Sequence, residues 1–172
     1  MRRFGLAIAC LILVLDQASK WLVLGPLGLE ARPILLTPFF NLVLVWNRGV
    51  SFGMFGSPGP LAPWILSGVA LAVVAGLGLW LRRATQPLIA VGLGLVIGGA
   101  LGNVIDRVRF GAVVDFLDFH LAGYHWPAFN LADSAICVGA GLLVVDSLLM
   151  PSRHYRNGRN STGAGETSRS GP

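Results

Sequence analysis

Four apolar blocks, each about long enough to cross a bilayer, constrain this chain more than any other feature. They run from about Phe4 to Leu24, Leu61 to Leu81, Leu88 to Ile105 and Leu131 to Met150. A helix needs roughly 20 mostly apolar residues to span the ~30 Å hydrocarbon layer. Only 12% of the residues are charged, about half the share usual in a soluble domain. With a mean hydropathy of +0.69 and its apolar residues gathered in blocks, the chain reads as one integral membrane domain over residues 1–152. That domain is an all-α bundle of four transmembrane helices carrying a small β-sheet. Residues 153–172 are polar and low in complexity, which marks a disordered tail.

Four spans leave both chain ends on one side. Arg2, Arg3, Arg82, Arg83, Arg153, Arg156, Arg159 and Arg169 fall there, eight of the thirteen basic residues. The positive-inside rule makes that side cytoplasmic. The formal charge of +5 is thus explained by orientation in the membrane, and nucleic acid is not an expected partner. The segments 25–60 and 106–130 then face outward, with Trp21, Trp64, Tyr124 and Trp126 at the level of an outer aromatic belt. Ala7-Ile8-Ala9-Cys10 is faintly like a lipoprotein cleavage site, but the apolar run continues past it, so an uncleaved span is expected.

Between the first two blocks the pattern changes. GPLGLEARP is rich in helix breakers, and ILLTPFFNLVLVW (residues 34–46) is rich in branched and aromatic residues with one interruption at Pro38. Asn47-Arg48-Gly49 marks a turn, and Val50 to Phe55 reads as a returning strand, giving a sheet over about 34–55 that lies against the membrane. The third block carries Gly92, Gly94, Gly98, Gly99 and Gly102, small residues that let membrane helices approach closely. Cys10 and Cys137 lie inside apolar blocks and are expected as buried, unpaired residues. No Cys or His spacing suits a metal, and no cofactor is expected.

The stretch from Gly98 to Ile136 holds four of the eight acidic residues. Carboxylates in apolar surroundings are expensive and are usually kept for function. The apolar helix is expected to end at the run Asn103, Asp106, Arg107. Asp115 comes next, set between Val114 and Phe116 on a short strand or turn, where burial would raise its pKa. Asn130 suits the N-cap of the fourth span, which puts Asp133 in its first turn, where the helix dipole favours negative charge. Two carboxylates pushed in opposite directions can share one proton, so that one activates water while the other hydrogen-bonds a carbonyl. Capping alone is the bland reading of Asn130 and Asp133, and an interfacial ion pair is that of Asp16 and Lys20, four residues apart. All the unusual polar residues, including Asn47, gather at one membrane face. Two other classes fit the pattern less well. A proton-coupled transporter would carry its acids near the midplane of repeated halves, and a scaffold would use them only for packing.

Five runs then carry a resemblance: DQASK (16–20), NRGVSF (47–52), GGALGNVIDR (98–107), VVDF (113–116) and FNLADS (129–134). In this order, in a chain of four spans, they resemble the bacterial lipoprotein signal peptidases (signal peptidase II). The resemblance implies an aspartic endopeptidase of the inner membrane that cuts prolipoproteins just before a diacylglyceryl-modified cysteine. It implies Asp115 and Asp133 as the catalytic pair. It implies Asp16, Lys20, Asn47, Gly49, Asn103, Asp106, Arg107 and Asn130 as residues that line the site. It also implies a short extracytoplasmic helical flap over about 117–126, inhibition by the cyclic peptide globomycin, and a monomer working among membrane lipids.

Overall fold

The computed structural model describes residues 1–49 and 61–149. Helices α1 (Arg2–Leu24), α2 (Ala62–Arg83), α3 (Pro87–Phe110) and α4 (Leu131–Leu149) are each long and apolar enough to cross a membrane. Strands β1 (Ile34–Thr37), β2 (Phe40–Asn47), β3 (Val113–Leu121) and β4 (Tyr124–His125) form one antiparallel sheet in the order β1-β2-β3-β4. Because β1 and β2 come after α1, and β3 and β4 connect α3 to α4, the sheet caps one end of the bundle. The returning strand expected at 50–55 and the tail at 153–172 lie outside the described residues.

Helix α3 is the axis of the bundle: 56% of its most apolar stretch is buried, against 22% or less in the other three. Its glycines explain why. A methyl group on Gly98 would come 2.5 Å from the Ala9 carbonyl oxygen of α1, and one on Gly99 would come 2.5 Å from the Ala132 carbonyl oxygen of α4. Gly94 packs in the same way on Gly5 of α1, and Gly92 on Gly139 of α4. With few other forces between helices in lipid, such close approach maximises dispersion contact. Ala9, Leu81, Ala90, Leu93 and Ile97 form the bundle core, while Val23, Leu29, Val114 and Phe116 form a second core beneath the sheet.

Several expectations need correction. α3 runs past the expected end near Ile105, continuing to Phe110 and stopping at Gly111 (φ +69°), so Asn103, Asp106 and Arg107 stand on its last turns, where they face α1, α4 and β3. The segment 117–126 is not a helical flap. Its residues alternate across the strand β3, and a two-residue turn at Ala122 (φ 51°) and Gly123 (φ 83°) reverses the chain into β4, the left-handed pair that a tight hairpin needs. Cys10 and Cys137 are exposed, not buried. They sit on outward faces of α1 and α4, where a membrane helix meets lipid and a small apolar side chain gains nothing from burial in protein.

Candidate active site

The sheet and the bundle meet at a set of polar side chains that would be costly to bury singly, and they satisfy one another. Asp16 and Lys20, one turn apart on α1, pair at 2.8 Å, and the Lys20 ammonium also meets Asp106 of α3 at 2.7 Å and the Asn103 amide oxygen at 3.2 Å. The three ammonium protons thus meet three acceptors. Asp16, Lys20 and Asp106 are all but inaccessible, at 2% exposure or less, so this is no solvated interfacial pair. The second oxygen of Asp16 accepts the backbone N–H of Ala132 at 3.0 Å, which ties α1 to the first turn of α4. Asp106 Oδ2 accepts the N–H of Val114 at 3.1 Å, which ties α3 to β3 one residue before Asp115. Gln17, a member of the first motif with no separate role expected, donates to Asp106 at 3.0 Å and lies 3.2 Å from Asp16.

Above this buried layer stand the two carboxylates. Asp115 accepts from the Asn47 amide at 2.9 Å and from the Asn130 amide at 2.7 Å. Asp133 accepts from the Asn103 amide at 2.8 Å. Asn130 caps α4: its Oδ1 takes the N–H of Asp133 at 2.9 Å, and its own N–H points back to Asp133 Oδ2 at 3.3 Å. That reciprocal arrangement is a capping box. The same Asn130 side chain therefore touches Asp115 through its nitrogen and the Asp133 backbone through its oxygen. Capping and a joint acid site coexist in one residue, and neither reading of Asn130 displaces the other.

Burial, above all, pushes the Asp115 carboxyl up to about 6; the Asn47 and Asn130 hydrogen bonds oppose this, and the negative charge of nearby Asp133 adds to it. Arg107 is half-buried, bonds back to the Asn103 carbonyl at 3.3 Å, and lies within electrostatic reach of Asp133, Asp106 and Asp115. Gly49 donates its N–H to Asn47 Oδ1 at 2.8 Å and so fixes the amide that faces Asp115. Its φ of +92° and its contact with Leu66 leave no place for a side chain. An opening of about 360 Å³ reaches Asp115 past Trp46, Asn47, Arg48, Pro127 and Ala128.

All ten residues singled out from the sequence thus converge at one end of the bundle. Asp115, Asp133, Asn47, Asn130 and Arg107 cluster around the carboxylates with Asn103 and Gly49, while Asp16, Lys20 and Asp106 form the layer below. A family model described as Signal peptidase (SPase) II matches residues 8–149. The chain belongs to the signal peptidase II family. The "Lipoprotein signal peptidase" of Methylorubrum extorquens (strain PA1) is 50% identical over 147 residues, 85% of this chain and 86% of the relative. That of Methylobacterium radiotolerans is 48% identical over 155 residues, 90% of this chain and 91% of the relative. A structure described as a bacterial membrane enzyme solved by the in meso method at 1.9 Å superposes with a TM-score of 0.73 at 28% identity, covering 86% of this chain and 94% of the other. A second, at 2.3 Å, gives a TM-score of 0.70 at 27% identity, covering 84% and 87%. Membership in the signal peptidase II family makes the four apolar helices those of a multi-pass bacterial membrane protein.

Sequence reasoning missed two residues outside the five motifs, Asp118 and His125. Asp118, on β3, accepts from Asn41 at 3.1 Å and meets His125 Nδ1 at 2.9 Å. Burial pushes the Asp118 carboxyl up, but hydrogen bonds from His125 and Asn41 outweigh it and hold the group below the usual range. The signal available was the alternation Phe116, Asp118, His120, which places an acid and a histidine on one face of a strand.

Proposed function

We propose that this chain is a membrane aspartic endopeptidase that removes the signal peptide from diacylglyceryl-modified prolipoproteins, cutting just before the lipidated cysteine. Asp115 and Asp133 share one proton. Asp133, at the start of α4, takes a proton from the attacking water, whose oxygen adds to the scissile carbonyl carbon. Protonated Asp115 donates a hydrogen bond to the carbonyl oxygen as it gains charge. The tetrahedral adduct collapses when the leaving nitrogen takes the proton held by Asp133, which restores the pair. Asn130, joined to both acids, is the single observation that supports this reading: its side-chain amide donates to the Asp115 carboxylate and its backbone N–H to the Asp133 carboxylate, and an opening reaches Asp115.

Asn47, Gly49, Asn103, Arg107 and Asn130 surround the substrate backbone, and the buried Asp16, Lys20 and Asp106 act through them. The substrate arrives by lateral diffusion, held by its acyl chains, and globomycin fills the same opening as a competitor. The sheet and the opening face the extracytoplasmic side and both termini the cytoplasm. In support, Trp21, Trp64, Tyr124 and Trp126 are all more than half exposed at the sheet end, as an interfacial belt requires, while Arg82 and Arg83 close α2 at the other end. Residues 1–152 form one catalytic domain, working as a monomer among membrane lipids. The test is cleavage of a lipidated prolipoprotein by Asp115→Asn and Asp133→Asn in detergent or vesicles. Both variants insert normally and cut nothing; substantial turnover by either one defeats the proposal.

A further inference from the structure

One cluster of polar side chains lies outside the peptidase machinery. On β3, Asp118 stands opposite Asn41 of β2 and accepts from its amide at 3.1 Å. Both Asp118 oxygens also lie within 3.0 Å of His125 Nδ1 on β4. His120, paired across the hairpin with His125, stacks on it with ring centroids 4.8 Å apart. A strand of two residues provides almost no ladder of its own, so this triangle of side chains is a main means of holding β4 against β3.

The triangle gains its meaning from the residues just beyond β4. Trp126 donates its N–H to the Phe119 carbonyl at 2.8 Å, and the chain then runs through Pro127 and Ala128, two of the residues that wall the opening above Asp115. Pro127 has no N–H to offer a ladder, so the fixed points on either side of these two wall residues bear on where they stand. On the far side stands the bridge between Leu117 and Phe129, with bonds of 2.8 and 3.1 Å running both ways. On the near side stand the Trp126–Phe119 bond and, one residue further back, the Asp118–His125 contact that supports it.

We propose that Asp118 and His125, anchored by Asn41, are positioning residues that set the wall of the substrate opening, and so govern substrate binding and not the chemical step. The inference rests on the reading of that opening as the entrance to the acid pair. The division between binding and chemistry comes from the bridge at Phe129. It lies between the clamp and Asn130, so Asn130 keeps its place against Asp115 when the clamp is released. His125 is itself exposed and touches neither carboxylate of the pair, which makes it a site that can be changed without entering the machinery.

The test is steady-state cleavage of a lipidated peptide substrate by the full chain in mixed micelles, with wild type and Asp115→Asn as controls. His125→Ala raises KM about tenfold and leaves kcat within about twofold, the pattern of a lost ground-state contact. His125→Asn, whose amide nitrogen can stand where Nδ1 stood, recovers most of that loss, whereas a residue that matters only for folding shows no such rescue. The double variant Asp118→Ala/His125→Ala is no worse than the poorer single, because both act through one contact. If Asp118→Ala folds poorly, the His125 pair alone decides the matter. Unchanged KM in His125→Ala, a fall confined to kcat, or equal defects in His125→Ala and His125→Asn overturns the clamp. Activity in Asp115→Asn overturns instead the reading of the site on which the clamp rests, so the two failures are distinguishable.

Discussion

Lys20 is the group whose removal the structure lets one quantify most directly. It is a fully buried cation between two fully buried anions, Asp16 at 2.8 Å and Asp106 at 2.7 Å. Lys20→Met keeps the length and apolar stem of the side chain and deletes only the charge and its donors. Each carboxylate loses a charge-assisted hydrogen bond worth ~1.5–3 kcal/mol. The two together give ~3–6 kcal/mol, in line with the ~3–5 kcal/mol typical when one partner of a buried ion pair is taken away. The loss also propagates. Asp16 holds the Ala132 N–H and Asp106 holds the Val114 N–H, and these are the neighbours of Asp133 and Asp115. The expected outcome is therefore a fall of this size in unfolding free energy, read by titration with SDS in mixed micelles, together with a loss of cleavage. A cycle with Asp106→Asn sharpens the case: since that variant already weakens the contact, the double variant loses ~1 kcal/mol or more less than the sum of the singles. A Lys20→Met variant with wild-type stability and turnover, or strict additivity with Asp106→Asn, refutes the reasoning.

The raised Asp115 pKa predicts how activity depends on pH. Its carboxyl is protonated up to about pH 6, so the protonated Asp115 that the reaction needs is present below that value and is lost above it. The kcat/KM profile, which reports the free enzyme, falls as pH rises through about 6; a profile flat from pH 5 to about 8 contradicts the assignment. The same sign holds for stability. A carboxyl whose folded pKa lies above its unfolded value of ~3.9 favours the fold fully below that value, and the contribution is lost as pH rises towards about 6. Asn47→Ala removes a bond that favours ionised Asp115, so it shifts the fall in kcat/KM to higher pH, measured against wild type in one buffer series. Gly99→Ala pushes a methyl to within 2.5 Å of the Ala132 carbonyl oxygen and is expected to destabilise the bundle by ~1–3 kcal/mol, whereas Gly76→Ala, with open space around it, is neutral in the same unfolding assay.

The apolar blocks announced the four spans because a bilayer imposes a length, and each observed helix begins and ends within a few residues of its block, α3 alone overrunning by a full turn. Val108, Arg109 and Phe110 extend it beyond the apolar stretch because Arg107 and Arg109 suit a helix C-terminus and Gly111 supplies the left-handed stop. The strands at 34–37 and 40–47 were legible from branched and aromatic residues broken at Pro38. The hairpin at 113–125 was less so, since only the mid-strand alternation and an Ala-Gly turn mark it. Asp115 stood out because nothing local explains an acid between Val114 and Phe116. The division of the polar residues into a layer of struts and a layer beside the opening was not legible. It depends on which atoms each side chain commits across helices, and a one-dimensional spacing such as that of Asp16 and Lys20 looks the same for an exposed pair and a buried one.

The amide of Asn130 has a consequence of its own. Its two ends are not interchangeable: the nitrogen must give and the oxygen must receive, one toward each half of the acid pair. Aspartate, nearly identical in outline, could serve only the receiving end and would set a third carboxyl group beside Asp115 and Asp133. So the start of one helix and the placing of the Asp115 carboxylate depend on a single planar group, and no change to one of its ends leaves the other untouched.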